Sequence, residues 1–147
     1  MTEVSFHTGV PDPLGHACRL LRKAVRLGSR VAVTATTPAL SELDRTLWTF
    51  EPLEFIPHLM RRAGQPVAPR HAVTPVWLVE RAADAPRPDV LLNLGEAVPE
   101  GFERFARVIE VVGTAPEQVA SGRARWKHYA GQGLAITHHV MSGEDAR

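Results

Sequence analysis

The sequence predicts an α/β protein built on a mostly parallel sheet. Two observations carry this. A strand-like segment, an amphipathic helix, a compact apolar strand and a second helix follow one another within the first fifty residues. That alternation builds parallel sheets. Later, Val76-Trp77-Leu78-Val79, Val90-Leu91-Leu92-Asn93-Leu94 and Val108-Ile109-Glu110-Val111-Val112 are short, nearly continuous apolar runs. Strands buried on both faces read this way.

The elements follow in order. Val4, Phe6 and Thr8 open a short strand, and His7 to Pro13 reads as the loop after it. Asp12 and Pro13 have the chemistry of an N-cap and a first helical residue. Ala17, Leu20, Leu21, Ala24 and Val25 then recur at helical spacing, with Arg19, Arg22, Lys23 and Arg26 on the other faces and Gly28 closing the helix. Arg30 to Thr34 is the next strand. Thr37-Pro38 starts a second helix with Leu40, Leu43 and Leu47 on one side. Phe55-Ile56-Pro57-His58 predicts a short strand, and residues 61–72 a loop containing Gly64, Pro66 and Pro69. Phe102 and Phe105 suggest a helical turn. Thr114 and Glu117 fit a capping box, opening a helix that runs to about Tyr129 and is closed by Gly131 and Gly133. Leu134, Ile136 and His138 alternate as a last strand. The chain reads as one domain over residues 1–141 with a frayed tail at 142–147.

Composition narrows the function. The chain has 147 residues, 44% hydrophobic and 22% charged, the balance of a soluble globular domain. Seventeen cations against sixteen carboxylates leave a net charge of +1. That argues against gripping nucleic acid with the whole surface. Cys18 is the single cysteine, so an intrachain disulfide and a Cys-based zinc site are excluded. There is no apolar run of membrane length and no signal-like start, so a cytoplasmic location is expected.

Enzyme readings find little support. The first strand-to-helix loop carries Pro11 and Pro13, which have no N–H to offer a phosphate, and Gly9 and Gly15 do not complete a dinucleotide fingerprint. No Walker-type loop and no G-x-S-x-G occur. His138 and His139 are neighbours and would point to opposite faces of a strand, so they are not expected to share a metal. His58 reads as a packed or hydrogen-bonded residue and Cys18 as a small core residue. No catalytic residue, cofactor or metal is expected.

One segment stands out. Residues 118–143 contain no carboxylate, and Arg123, Trp126 and Lys127 stand there at i, i+3 and i+4. On a helix they share one face. A cation, an indole and a second cation suit a ligand that carries both a carboxylate and an apolar group. A peptide ending in an aromatic residue preceded by acids is one such ligand, and single-stranded nucleic acid is another. The competing reading makes Trp126 a core residue ringed by solvated cations.

The order of these features resembles one family, the chi subunit of bacterial DNA polymerase III. The resemblance rests on Val4-Ser5-Phe6-His7, on Leu43-Asp44-Arg45-Thr46-Leu47-Trp48 leading to Phe55-Ile56-Pro57-His58, and on Asp89 to Leu94. It ends on Arg123-Ala124-Arg125-Trp126-Lys127-His128-Tyr129. It implies a three-layer α/β/α fold of mononucleotide-binding topology without a phosphate loop. It implies a non-catalytic replication adaptor, with polymerase activity belonging to the assembly. Such a subunit binds the acidic, Phe-terminated tail of single-stranded DNA-binding protein, and reaches the clamp loader through the psi subunit or meets a helicase instead. By resemblance, Arg123, Trp126 and Lys127 match the tail-binding helix, with Gly133 and Leu134 nearby; Arg125 is a secondary candidate for meeting the acids of the tail. Trp48 and Phe55 match the psi or helicase surface. Two departures stand in the helix: Val119 where some relatives carry a cation, and Trp126 where the family often has Tyr. The alternatives are a direct single-stranded DNA binder using Trp126 and Tyr129, or a helicase-associated repair adaptor. No membrane partner is expected.

Overall fold

The computed structural model describes residues 2–50, 55–86 and 89–141. Seven strands form one sheet in the order β3-β4-β2-β5-β6-β1-β7, and every pairing is parallel. The strands are β1 (Glu3–Val10), β2 (Val31–Thr34), β3 (His58–Arg61), β4 (Val76–Val79), β5 (Val90–Asn93), β6 (Arg107–Gly113) and β7 (Ile136–Val140). Three helices, α1 (Pro13–Arg26), α2 (Thr37–Thr49) and α3 (Pro116–Gly131), cover the sheet.

Strand alternation sends side chains to two cores. Val31 and Val33 of β2 face α1 and α2, where Leu21, Leu40, Leu43 and Leu47 are buried. Ala32, between them, faces the opposite side with Phe6, Leu91, Val108 and Tyr129 of α3. The result is the three-layer α/β/α arrangement. β2, β4 and most of β5 are buried on both faces, hence their unbroken apolar runs.

The helix starts follow local chemistry. The Asp12 carboxylate accepts from the Gly15 N–H at 3.1 Å, and Pro13 begins α1. This places the helix's own carboxylate where a mononucleotide-binding fold would hold a phosphate. Gly28 follows α1 at φ 76, the left-handed conformation that ends helices.

Several boundaries differ from the sequence reading. β1 continues through the expected loop as far as Val10, because it lies between β6 and β7 and pairs with both. Gly9, at φ 65, stands where the register against β6 shifts. The strand expected at Phe55–His58 begins only at His58, where pairing with Val76 starts. Ile56 is instead a buried core residue, and Arg61 belongs to β3 rather than to the loop. The α3 cap is Ala115, not Thr114. Gln118 Oε1 accepts from the Ala115 N–H at 3.4 Å, and Pro116 starts the helix. β6 runs to Gly113, which leaves Thr114 in the turn. α3 extends to Gly131, and the last strand starts at Ile136, beyond Leu134. The tail at 142–147 lies outside the described residues.

Candidate functional site

The acid-free segment forms one wall of a groove of about 620 Å³. Val119, Gly122, Arg123, Trp126 and Lys127 supply the α3 side at helical spacing. β1, the end of β6, and His138 of β7 supply the rest. None of these lining residues is a carboxylate.

Trp126 belongs to both readings that the sequence left open. It is half-buried, and its ring rests on Phe6 with centroids 4.9 Å apart at 52°. Its remaining surface faces the groove between the exposed Arg123 and Lys127. Gly122 lets the helix approach closely, since a Cβ there would lie 2.9 Å from Val112 Cγ2. The groove therefore presents an apolar floor under two cations. Such a site can hold an apolar side chain and neighbouring carboxylates together.

Arg125 does not join them, which corrects the sequence reading. It is 3% exposed and points into the core. Its Nε donates to Glu110 Oε1 at 2.9 Å, and Nη1 donates to Glu96 O at 2.9 Å and Ser121 Oγ at 3.0 Å. Glu110 is fully buried and also accepts from Tyr129 Oη at 2.6 Å and from Asn93 Nδ2 at 3.0 Å. Burial pushes the Glu110 carboxyl above the usual carboxylate range, while Arg125 and the hydroxyl of Tyr129 pull the other way. Burial and Glu110 raise the Tyr129 phenol strongly, so it stays a donor. The pair fastens α3 to β6 and places the groove face; it offers nothing to a ligand.

Gly133 and Leu134 also lie outside the groove lining. Gly133 takes the left-handed turn after α3 at φ 75, and Leu134 packs against the Tyr129 core. The lining residues missing from the sequence reading of the site are Phe6, Thr8 and Gly9 of β1, Val112 and Gly113 of β6, Thr114 after it, and His138 of β7. Val119 and Gly122 were within reach of the helical spacing, whereas the strand residues carry no local signal.

Trp48 and Phe55 meet at the other end of the sheet. They are 58% and 63% exposed, and their rings stack with centroids 5.4 Å apart at 24°. Trp48 also packs on His58 at 4.7 Å. His58 is buried, with Nδ1 2.6 Å from Ile56 O and Nε2 3.1 Å from Asp44 Oδ1. Two large aromatics held in solvent by a buried support form an exposed apolar patch of the kind that partners cover.

Among the described residues no cluster of His, Cys, Asp or Glu is arranged to hold a metal, and no helix is long and apolar enough to cross a membrane. His138 and His139 do point to opposite faces: His138 meets Trp126, and His139 meets His7.

The family profile described as DNA polymerase III chi subunit, HolC, matches residues 1–137. This chain belongs to that family. Chi is an accessory subunit of DNA polymerase III, and DNA replication is the process it serves. The DNA polymerase III subunit chi of Pseudomonas aeruginosa is 34% identical over 147 residues, covering 96% of this chain and 98% of the relative. The DNA polymerase III subunit chi of Haemophilus influenzae is 29% identical over 122 residues, 82% of each chain. In three dimensions the chi fold is similar to helicase-type domains. The S. cerevisiae Dbp5 C-terminal domain, solved with Gle1 and IP6, gives a TM-score of 0.61 at 10% identity, over 99% of this chain and 93% of that one. Domain 2 of the DEAD-box helicase Mss116p, bound to an RNA duplex, gives 0.57 at 11% identity, over 98% and 66%. These likenesses concern the fold, a mononucleotide-binding-like α/β sheet.

Proposed function

We propose that this chi-family chain is a non-catalytic adaptor that holds the acidic, Phe-terminated tail of single-stranded DNA-binding protein and links it to the polymerase III assembly. The observation that carries the reading is the α3 groove, where Arg123 and Lys127 flank the Trp126–Phe6 floor with no lining carboxylate. The terminal Phe packs beside Trp126, and its carboxylate and the preceding acids meet Arg123 and Lys127. Binding is of modest strength and weakens with salt, because much of the attraction is between partly solvated charges. Contact with DNA is then mainly indirect, and the expected location is the cytoplasm.

The test is a titration of a labelled acidic peptide ending in Phe. Arg123→Ala and Trp126→Ala should each weaken it by about tenfold or more. Unchanged affinity in both variants would refute the site. Tight binding of an oligonucleotide in a gel shift, without any partner protein, would favour direct single-strand recognition.

The stacked Trp48–Phe55 patch supports a second contact, with a psi subunit or a helicase, through which the clamp loader is reached. Phe55→Ala should abolish that capture and leave tail binding intact; retained capture would remove the patch from the reading.

A further inference from the structure

The groove has a rim residue across from its two cations. His138 stands on β7, while Arg123 and Lys127 stand on α3, and all three line the same cavity. The His138 Nε2 lies 2.8 Å from Thr8 Oγ, across 130 residues of sequence. Its ring stands edge-on to the Trp126 indole, with centroids 5.2 Å apart at 70°. Hydroxyl and indole together fix the ring's rotation. Among the described residues nothing engages Nδ1, the nitrogen left for a ligand.

We propose that His138 is a third ligand-binding group of this groove, which engages an acidic ligand as imidazolium and so couples ligand affinity to pH. The inference rests on the groove being the acidic-tail site. An imidazolium at His138 adds a cation to Arg123 and Lys127, and none of the described lining residues is a carboxylate. A bound acidic tail reverses that balance, so ligand and proton favour each other.

Each element packed against His138 brings its own groups to the groove. α3 presents the cationic side chains of Arg123 and Lys127. β1 presents Thr8, and the end of β6 presents Thr114, neither of which titrates. His139 lies on the other sheet face, where its ring meets His7 at 5.1 Å. His128 pairs with Gln132 at 3.1 Å, and Glu117 is exposed in the first turn of α3; neither lines the groove. The carboxylates of a peptide are already ionised across the interval from about pH 5 to about pH 8 in which imidazole changes charge.

The experiment uses the full chain and a fluorescent acidic peptide ending in Phe. Affinity is read by anisotropy at constant ionic strength, near pH 8 and near pH 6. The wild-type chain should bind about three- to fivefold more tightly at the lower pH. His138→Gln should remove that gain and leave affinity near pH 8 close to wild type. Arg123→Ala should weaken binding at both values. A pH gain that survives in His138→Gln, or that is missing in the wild type, overturns the assignment while the groove reading stands. Failure of the wild type to bind the peptide at either pH overturns both.

Discussion

Replacing Arg125 by methionine should be among the most damaging single changes in this protein. The substitution keeps an unbranched apolar side chain but removes the guanidinium that faces Glu110. Glu110 then keeps two donors, Tyr129 at 2.6 Å and Asn93 at 3.0 Å, in a site with no solvent exposure. Breaking a buried pair from one side costs about 3–5 kcal/mol, because the stranded charge has lost its counterion without regaining water. A domain of this size has about 5–15 kcal/mol in total. With a urea slope of about 2 kcal/mol/M, the midpoint should fall by roughly 1.5–2.5 M. The pH dependence supplies the sharper test. Burial raises the folded Glu110 carboxyl above its unfolded value, and losing Arg125 raises it further. A group raised in the folded state favours folding most at low pH, and that contribution is lost as pH rises through the folded value. The cost of Arg125→Met should therefore shrink on acidification from about pH 7 to about pH 5. Comparing variant with wild type at each pH cancels contributions from other groups. Adding Glu110→Gln should recover part of the loss. A cost below about 1 kcal/mol, or one that is the same at both pH values, would refute the role of the pair.

Two further outcomes follow from the packing. His7 is buried beside His16, with Nδ1 2.8 Å from its Nε2, and burial followed by the charges of His16, His139 and Arg107 lowers its pKa to about 4. The unfolded chain therefore takes up a proton first as pH falls from 6.5 towards about 4, which costs at most about 3 kcal/mol of stability over that window. Urea midpoints across the window should decline less steeply in His7→Gln; equal slopes would refute the attribution. Gly122→Ala would put a Cβ 2.9 Å and 3.0 Å from the two methyls of Val112, so α3 must shift outward. It should lower stability by about 1–3 kcal/mol, or Tm by roughly 3–9 °C, and weaken peptide binding at the groove; an unchanged Tm would show that the helix has room to spare.

The helices were more legible than the strand boundaries. Asp12-Pro13, the Leu40-Leu43-Leu47 stripe and the 116–131 helix follow from signals within one or two turns, so their positions hold to within a residue or two. The extension of β1 through Gly9 was not readable, because pairing with β6 and β7 outweighs a local glycine-proline loop signal. The site shows the same division. Arg123, Trp126 and Lys127 could be placed on one face because helical periodicity is local. Arg125, a secondary candidate already off the i, i+3, i+4 face, proves to be buried beside Glu110, and the sequence carries no local sign of that pairing.

Taken alone, the sequence determined the α/β class, the alternation of helices and strands, and the cation-Trp-cation face within an acid-free stretch. The tertiary structure decided what that face opposes. The strand order sets β1 between β6 and β7, so Thr8 and His138, 130 residues apart in the chain, meet beside Trp126. It also decided that one arginine of the motif is structural while its neighbours face solvent. The reason is physical: a helix repeats within a few residues along the chain, whereas strand pairing and the burial of charge depend on partners distant in sequence.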